Sequence, residues 1–268
     1  MQMTDGPNFM GDAAVPDELL QSVVTYFNPR QVILFGSRAR GEGGPDSDID
    51  LVVVLEDNAP SEYFSAGAAQ EARKSFRRSC DIVPWRRSDF YRCARIVGSL
   101  AHTVLQEGQV IYGEDIEPST ATRMSAGPID PAAQWGEARR WVAIADNDLR
   151  AVEIRLQAKP PATETAAYHC QQAAEKLLKA LLVAAARPTR KTHDLHELAS
   201  EVAEVHPDLA SLVKNCGFMT RWGFVYRYPV EPGGAGPQVP TGTEIGVAQE
   251  MLTDLRSAIG ARDPGDRG

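Results

Sequence analysis

Two different hydrophobic periods divide the chain. Over the first 113 residues, short apolar runs alternate with mixed segments. Residues 16–27 carry apolar positions at helical spacing; Val32-Ile33-Leu34-Phe35 and Leu51-Val52-Val53-Val54 are compact runs; Ile82-Val83 and Val110-Ile111-Tyr112 are shorter ones. Runs of this length read as buried strands, and the stretches at 61–79 and 88–108 read as helices between them. Beyond residue 130 the period becomes helical throughout. Trp141, Ile144, Ala145, Leu149, Val152 and Leu156 share one face over 135–157, and Ala173, Leu177, Ala180, Leu181 and Ala184 share one over 166–186. Further helices are predicted over 194–205, 207–218 and 244–259. Between the two regimes Pro118, Gly127 and Pro128 interrupt every pattern. The expected architecture is an α/β (α+β) domain over residues 15–113, a linker over 114–130 and an all-α bundle over 131–262.

Composition fits this two-part reading. A chain of 268 residues with 43% hydrophobic content can fill two cores. No apolar run is long enough for a membrane span, and residues 1–14 lack the basic-then-apolar order of a secretory signal, so a loose tail and a cytoplasmic protein are expected. Cys80, Cys93, Cys170 and Cys216 are scattered without metal-ligand spacing and read as free thiols. The net charge of −8 argues against general nucleic-acid binding, which draws its affinity from neutralising phosphates with Lys and Arg.

The chemistry concentrates in Leu34-Phe35-Gly36-Ser37-Arg38-Ala39-Arg40-Gly41, followed by Asp46-Ser47-Asp48-Ile49-Asp50-Leu51. A strand ending at Gly36-Ser37, with a helix starting at Arg38, leaves unpaired backbone N–H groups where a phosphate can settle. Asp48 and Asp50, two residues apart at a strand start, are expected to share a face that a hard cation such as Mg²⁺ can bridge. Arg40 reads as a solvated helix residue. Taken singly, each feature also occurs as an ordinary turn or a solvated strand edge.

Together these segments resemble the nucleotidyltransferase superfamily that includes DNA polymerase beta and the aminoglycoside nucleotidyltransferases, and within it the minimal nucleotidyltransferases. The resemblance implies a Mg²⁺-dependent enzyme in which Asp48 and Asp50 hold metal. It also implies a third carboxylate, for which Asp81 at the start of the strand Cys80-Asp81-Ile82-Val83 is the candidate, as ligand and as acceptor of the attacking hydroxyl's proton. Gly36, Ser37 and Arg38 would contact the triphosphate. The implied reaction moves a nucleoside monophosphate, with AMP from ATP expected, onto a hydroxyl of a small acceptor such as an antibiotic.

In the helical half, Gln171-Gln172-Ala173-Ala174-Glu175-Lys176-Leu177, Thr192-His193-Asp194-Leu195 and Arg227-Tyr228-Pro229 together resemble the HEPN domain. Many HEPN domains are RNases that use an Arg and a His separated by four to six residues. Arg187 and His193 satisfy that count, but Pro188 keeps them off one continuous helix. The expected role of the bundle is therefore to shape the acceptor pocket or to form a homodimer. One alternative is a toxin–antitoxin-like module in which a tyrosine, Tyr226 or Tyr228, is adenylylated to control a HEPN RNase; another is a non-catalytic nucleotide-binding regulator. Gln172, Lys176 and Lys179 lie on one helix flank and face either a partner, a neighbouring helix or solvent. Thr192 reads as a helix N-cap and His193 as a surface residue at a helix start.

Overall fold

The computed structural model describes residues 15–44, 46–74, 76–113, 129–189, 192–223 and 238–267. The chain divides into two compact units, Met1–Ile129 and Asp130–Gly268. The tail 1–14, most of the expected linker and the segment holding Tyr226 and Tyr228 lie outside the described residues.

In the first unit, helix α1 (Asp17–Phe27) starts with Asp17 and Glu18 at its positive end and stops at Asn28, whose φ of 45° turns the chain left-handed. Strand β1 (Gln31–Phe35) follows, then the single-turn helix α2 (Gly36–Ala39) and strand β2 (Ile49–Leu55). A 3-10 turn (Ser61–Phe64) and helix α3 (Ala66–Ala72) lead into strand β3 (Cys80–Arg86). Helices α4 (Arg87–Cys93) and α5 (Leu100–Glu107) precede strand β4 (Gln109–Gly113).

The sheet order is β3-β2-β1-β4, with β1 antiparallel to both β2 and β4, and β2 parallel to β3. Helices cover both faces, which is why the central strands are apolar runs rather than alternating ones. Val32, Leu34, Ile49, Leu51, Val53 and Leu55 meet Leu19, Leu20 and Val23 of α1 and Ala68 and Ala72 of α3. On the opposite face, Ile33, Phe35, Val52 and Val54 meet Phe90 and Ala94, then Ala101 and Val104 of α5.

The long helix expected over 61–79 is instead the 3-10 turn plus seven residues of α3. Pro60 and Ser65 both adopt extended backbone, and the Ser65 hydroxyl accepts the Ala68 N–H as a new N-cap. The helical segments expected over 88–108 are α4 and α5, the second capped by Ser99, whose hydroxyl accepts from His102 N–H.

The second unit is wholly helical among its described residues. Asp130 caps α6 (Pro131–Gln157), and Pro131 occupies the first turn, where no N–H is needed. Helix α7 (Thr163–Ala184) is the centre of the bundle and is buried on nearly every side from Cys170 to Val183. Helix α8 (Leu195–Val205), α9 (Ala210–Lys214), a 3-10 stretch (Asn215–Gly223) and α10 (Gly242–Gly260) pack around it. A reciprocal capping box between Thr241 and Glu244 starts α10. The helix expected over 207–218 is split: Pro207–Leu209 is 3-10, α9 spans five residues and Asn215 opens a second 3-10 stretch. Asp194, not Thr192, caps α8, accepting from His196 N–H, while the Thr192 hydroxyl accepts from Asp194 N–H. All four cysteines are free.

Candidate functional site

Strand register sets the geometry at one end of the sheet. Asp50 is the cross-strand partner of Phe35, the last residue of β1, and on its other side it is the partner of Asp81. The strand period puts Asp50 and Asp81 on the same face, on adjacent strands about 4.8 Å apart. Ile49 turns to the other face with full burial. Asp48 lies outside β2, exposed at the end of the preceding loop, so the expectation that it opens the strand is corrected by one residue.

Gly36 sits against Asp50. Its φ is +77°, and a Cβ there would lie 2.1 Å from Asp50 Oδ2. The helix after β1 begins at Gly36 itself rather than at Arg38, so the turn and the carboxylate are in direct apposition. Only glycine satisfies both the left-handed backbone and the close approach. The Ser37 carbonyl accepts from Glu42 N–H and Gly43 N–H, which curls the following loop back over α2.

Arg38 holds that loop. Its Nε and Nη2 donate to the Ser47 carbonyl at 2.9 and 2.8 Å, and Nη2 donates to Gly44 O at 3.3 Å. Arg40 is exposed at the C-cap of α2, where it pairs with Glu42 and with Glu107 of α5, and hydrogen bonding to Glu42 leads the effects that raise its pKa. Beside Asp81 the thiol of Cys80 is buried; burial pushes its pKa up, the Arg73 guanidinium pulls it down, and the Asp81 and Asp48 carboxylates push it up again. Both carboxylates therefore act electrostatically on the same point at the start of β3.

Three aspartates supply hard oxygen donors of the kind Mg²⁺ takes, and the glycine cradle against Asp50 Oδ2 keeps one of them clear of side-chain bulk. Register brings Asp50 and Asp81 together. Among the described residues, no group of three or more metal-ligating side chains is gathered closely enough to hold an ion. The donor set fits a divalent cation in chemistry, with Asp48 carried on the loop that leads into β2.

The helical unit holds a second polar constellation. Buried Glu175 accepts Lys179 Nζ at 2.7 Å and sits 3.0 Å from His193 Nδ1. Gln171 Nε2 donates to Glu175 Oε2 and to the His193 carbonyl. A neighbouring knot joins Lys176 and His169 to Asp148 of α6. Burial pushes the Glu175 carboxyl up, but hydrogen bonds and charge from Lys179 and His193 outweigh it and hold the pKa below the ordinary glutamate value.

Of the three settings open to Gln172, Lys176 and Lys179, the neighbouring helix is the one observed, since Lys176 reaches Asp148 and Lys179 lies over the Trp141 ring. His193 is a surface residue, its side chain 84% exposed, yet one ring nitrogen is engaged by a carboxylate of only 8% exposure. Arg187 and Pro188 are exposed beyond the end of α7, and Arg187 forms no side-chain hydrogen bond or ion pair among the described residues. The spacing of Arg187 and His193 did not reveal Glu175; the Glu175/Lys179 interval of four on one helix was the available signal.

Comparison with known families agrees with both units. A family model described as nucleotidyltransferase domain matches residues 16–109, and one described as HEPN domain matches residues 138–257. The chain is thus a nucleotidyltransferase in which a nucleotidyltransferase domain is followed by a HEPN domain. No curated protein matches it. Nucleotidyltransferase domains generally use divalent metals and act on a nucleotide substrate. No described helix is long and apolar enough to cross a membrane.

Proposed function

We propose that the protein transfers a nucleoside monophosphate, AMP from ATP, to a hydroxyl of a small acceptor and releases pyrophosphate, with Asp48, Asp50 and Asp81 as the catalytic carboxylates. The observation that carries this reading is the apposition of Gly36 and Asp50 beside Asp81, which puts a side-chain-free turn for phosphates against an acidic pair. The three aspartates would hold Mg²⁺, which when bound neutralises phosphate charge. Gly36 and Ser37 would receive the triphosphate, and Arg38 would act by shaping the loop that carries Asp48. Attack of the acceptor oxygen on the α-phosphorus forms one P–O bond and breaks the bond to pyrophosphate, with Asp81 taking the hydroxyl proton. The helical half would shape the acceptor pocket or pair two copies.

The test is to incubate the purified chain with each α-labelled nucleoside triphosphate, Mg²⁺ and candidate hydroxylated acceptors. Label should move from ATP, and Asp48→Asn and Asp50→Asn, which keep size but remove a ligand charge, should each reduce transfer by about two orders of magnitude or more. Undiminished pyrophosphate release by either variant refutes the assignment. Near wild-type activity in Asp81→Asn refutes the third carboxylate alone. A second reading, the toxin–antitoxin-like module with an RNase in the helical unit, is favoured by the contact of exposed His193 with buried Glu175, which suits a histidine used for proton transfer.

A further inference from the structure

β3 is the edge strand of the sheet, so at its start alternate carbonyls face no neighbouring strand. The Ser79 carbonyl points inward and accepts Ile49 N–H of β2 at 3.2 Å. Arg78 O and Cys80 O, on either side of it, point to the open edge. There Arg73 replaces the missing strand: Nη1 donates to Cys80 O and Nη2 to Arg78 O, both at 2.9 Å. Arg73 is itself fixed at the C-terminus of α3, where Ser22 of α1 donates to the adjacent Ala72 carbonyl at 2.6 Å.

Arg38 makes the same type of contact before the other strand, forking Nε and Nη2 onto Ser47 O. Gly43 makes room for it, since a Cβ there would lie 2.7 Å from Arg38 Cγ. Ser47 immediately precedes Asp48, and Cys80 immediately precedes Asp81. A carbonyl and the next residue's N–H belong to one rigid peptide plane, so gripping the carbonyl fixes the backbone nitrogen of the aspartate that follows.

We propose that Arg73 and Arg38 are positioning residues for nucleotidyl transfer, each clamping the peptide that presents one metal-binding aspartate, Asp81 and Asp48 respectively. This rests on the reading of the three aspartates as the transfer site. Neither guanidinium is needed as a charge. Each acts through a planar fork of donors, which a lysine does not reproduce.

The sign of the metal response separates a clamp from a charge. Removing a cation near the carboxylates would, by charge alone, tighten binding of a divalent ion; removing a clamp loosens it by disordering a ligand. The full chain is titrated with Mn²⁺, following the free ion by electron paramagnetic resonance, and kcat and KM for Mg·ATP are measured in parallel. Arg73→Ala is expected to weaken Mn²⁺ binding by about 10- to 100-fold and to lower kcat more than it raises KM, as loss of a residue supporting a ligand does. Arg73→Lys should fall between Ala and wild type, and Arg38→Ala should behave as Arg73→Ala does. Arg77→Ala, an exposed change in the same loop, should match wild type in both readouts.

Tighter or unchanged Mn²⁺ binding with wild-type kcat in Arg73→Ala overturns the clamp and leaves the transfer site standing. Should Arg73→Ala fail to fold, Arg73→Lys decides, and equality with wild type in both measurements overturns the proposal. A wild-type chain that neither binds Mn²⁺ nor transfers label overturns the site and the clamp with it.

Discussion

Gly36 gives the sharpest test of the site because two separate penalties fall on it and a second glycine isolates one of them. Gly36→Ala places a methyl group 2.1 Å from Asp50 Oδ2, where ordinary contact begins at 3.4 Å. Relief requires the carboxylate to move by roughly 1 Å, a displacement that costs on the order of 100-fold in rate when it falls on a catalytic group. The left-handed backbone, φ +77°, adds about 1–2 kcal/mol of strain for any residue bearing a Cβ. Gly41 has nearly the same backbone, φ +74°, but nothing within 4 Å of its would-be Cβ. Gly41→Ala therefore carries the strain without the collision. Both variants should lower the melting temperature of the first unit by about 5–10 °C. Only Gly36→Ala should also lose transfer by about 100-fold, read as initial rates of pyrophosphate release at saturating Mg·ATP below the melting range of either variant. Equal activities in the two variants, or full activity in Gly36→Ala, would show that Asp50 is not required where the structure has it.

The helical unit makes three further predictions, two of them from its buried ion pair. Lys179→Met takes the lysine charge from buried Glu175, leaving it Gln171 and His193, and should cost about 3–5 kcal/mol in urea unfolding, whereas Lys179→Met combined with Glu175→Leu should recover most of it; a single-variant loss under about 1 kcal/mol would count against the pairing. Because the folded pKa of Glu175 lies below its ordinary value of 4.5, its contribution to stability is fully present above that value and is lost as pH falls through the folded pKa. Urea midpoints taken from about pH 6 down to pH 3 should fall more steeply for wild type than for Glu175→Gln, and parallel curves would contradict the assignment. If the helical unit only shapes the acceptor site or pairs two copies, the full chain should leave single-stranded and transfer RNA intact without added metal; cleavage that disappears in Arg187→Ala and His193→Ala would favour the second reading instead.

What the sequence disclosed depended on the range of the interactions involved. The strands around Val32–Phe35 and Leu51–Val54 were legible because burial on both faces writes an unbroken apolar run. Helix ends were less legible: Ser65 is a good cap inside a stretch whose composition otherwise suits one long helix, and a cap acts over only three residues. The candidate aspartates were visible as types, yet the neighbour relation of Asp50 and Asp81 comes from the parallel register of β2 and β3, joined across more than twenty residues. Arg73 was invisible for a related reason. Nothing in the sequence marks which arginine reaches the open edge of β3, since its partners are carbonyls, and every residue has one. The same holds for Arg38, whose place beside Ser37 suggested a phosphate contact and gave no sign that its Nε and Nη2 reach Ser47 O and Gly44 O. Residues recognised by their own side-chain chemistry can be read from the chain. Residues that work by holding backbone in place need the fold, and in this site they are the arginines on which the proposed presentation of two aspartates depends.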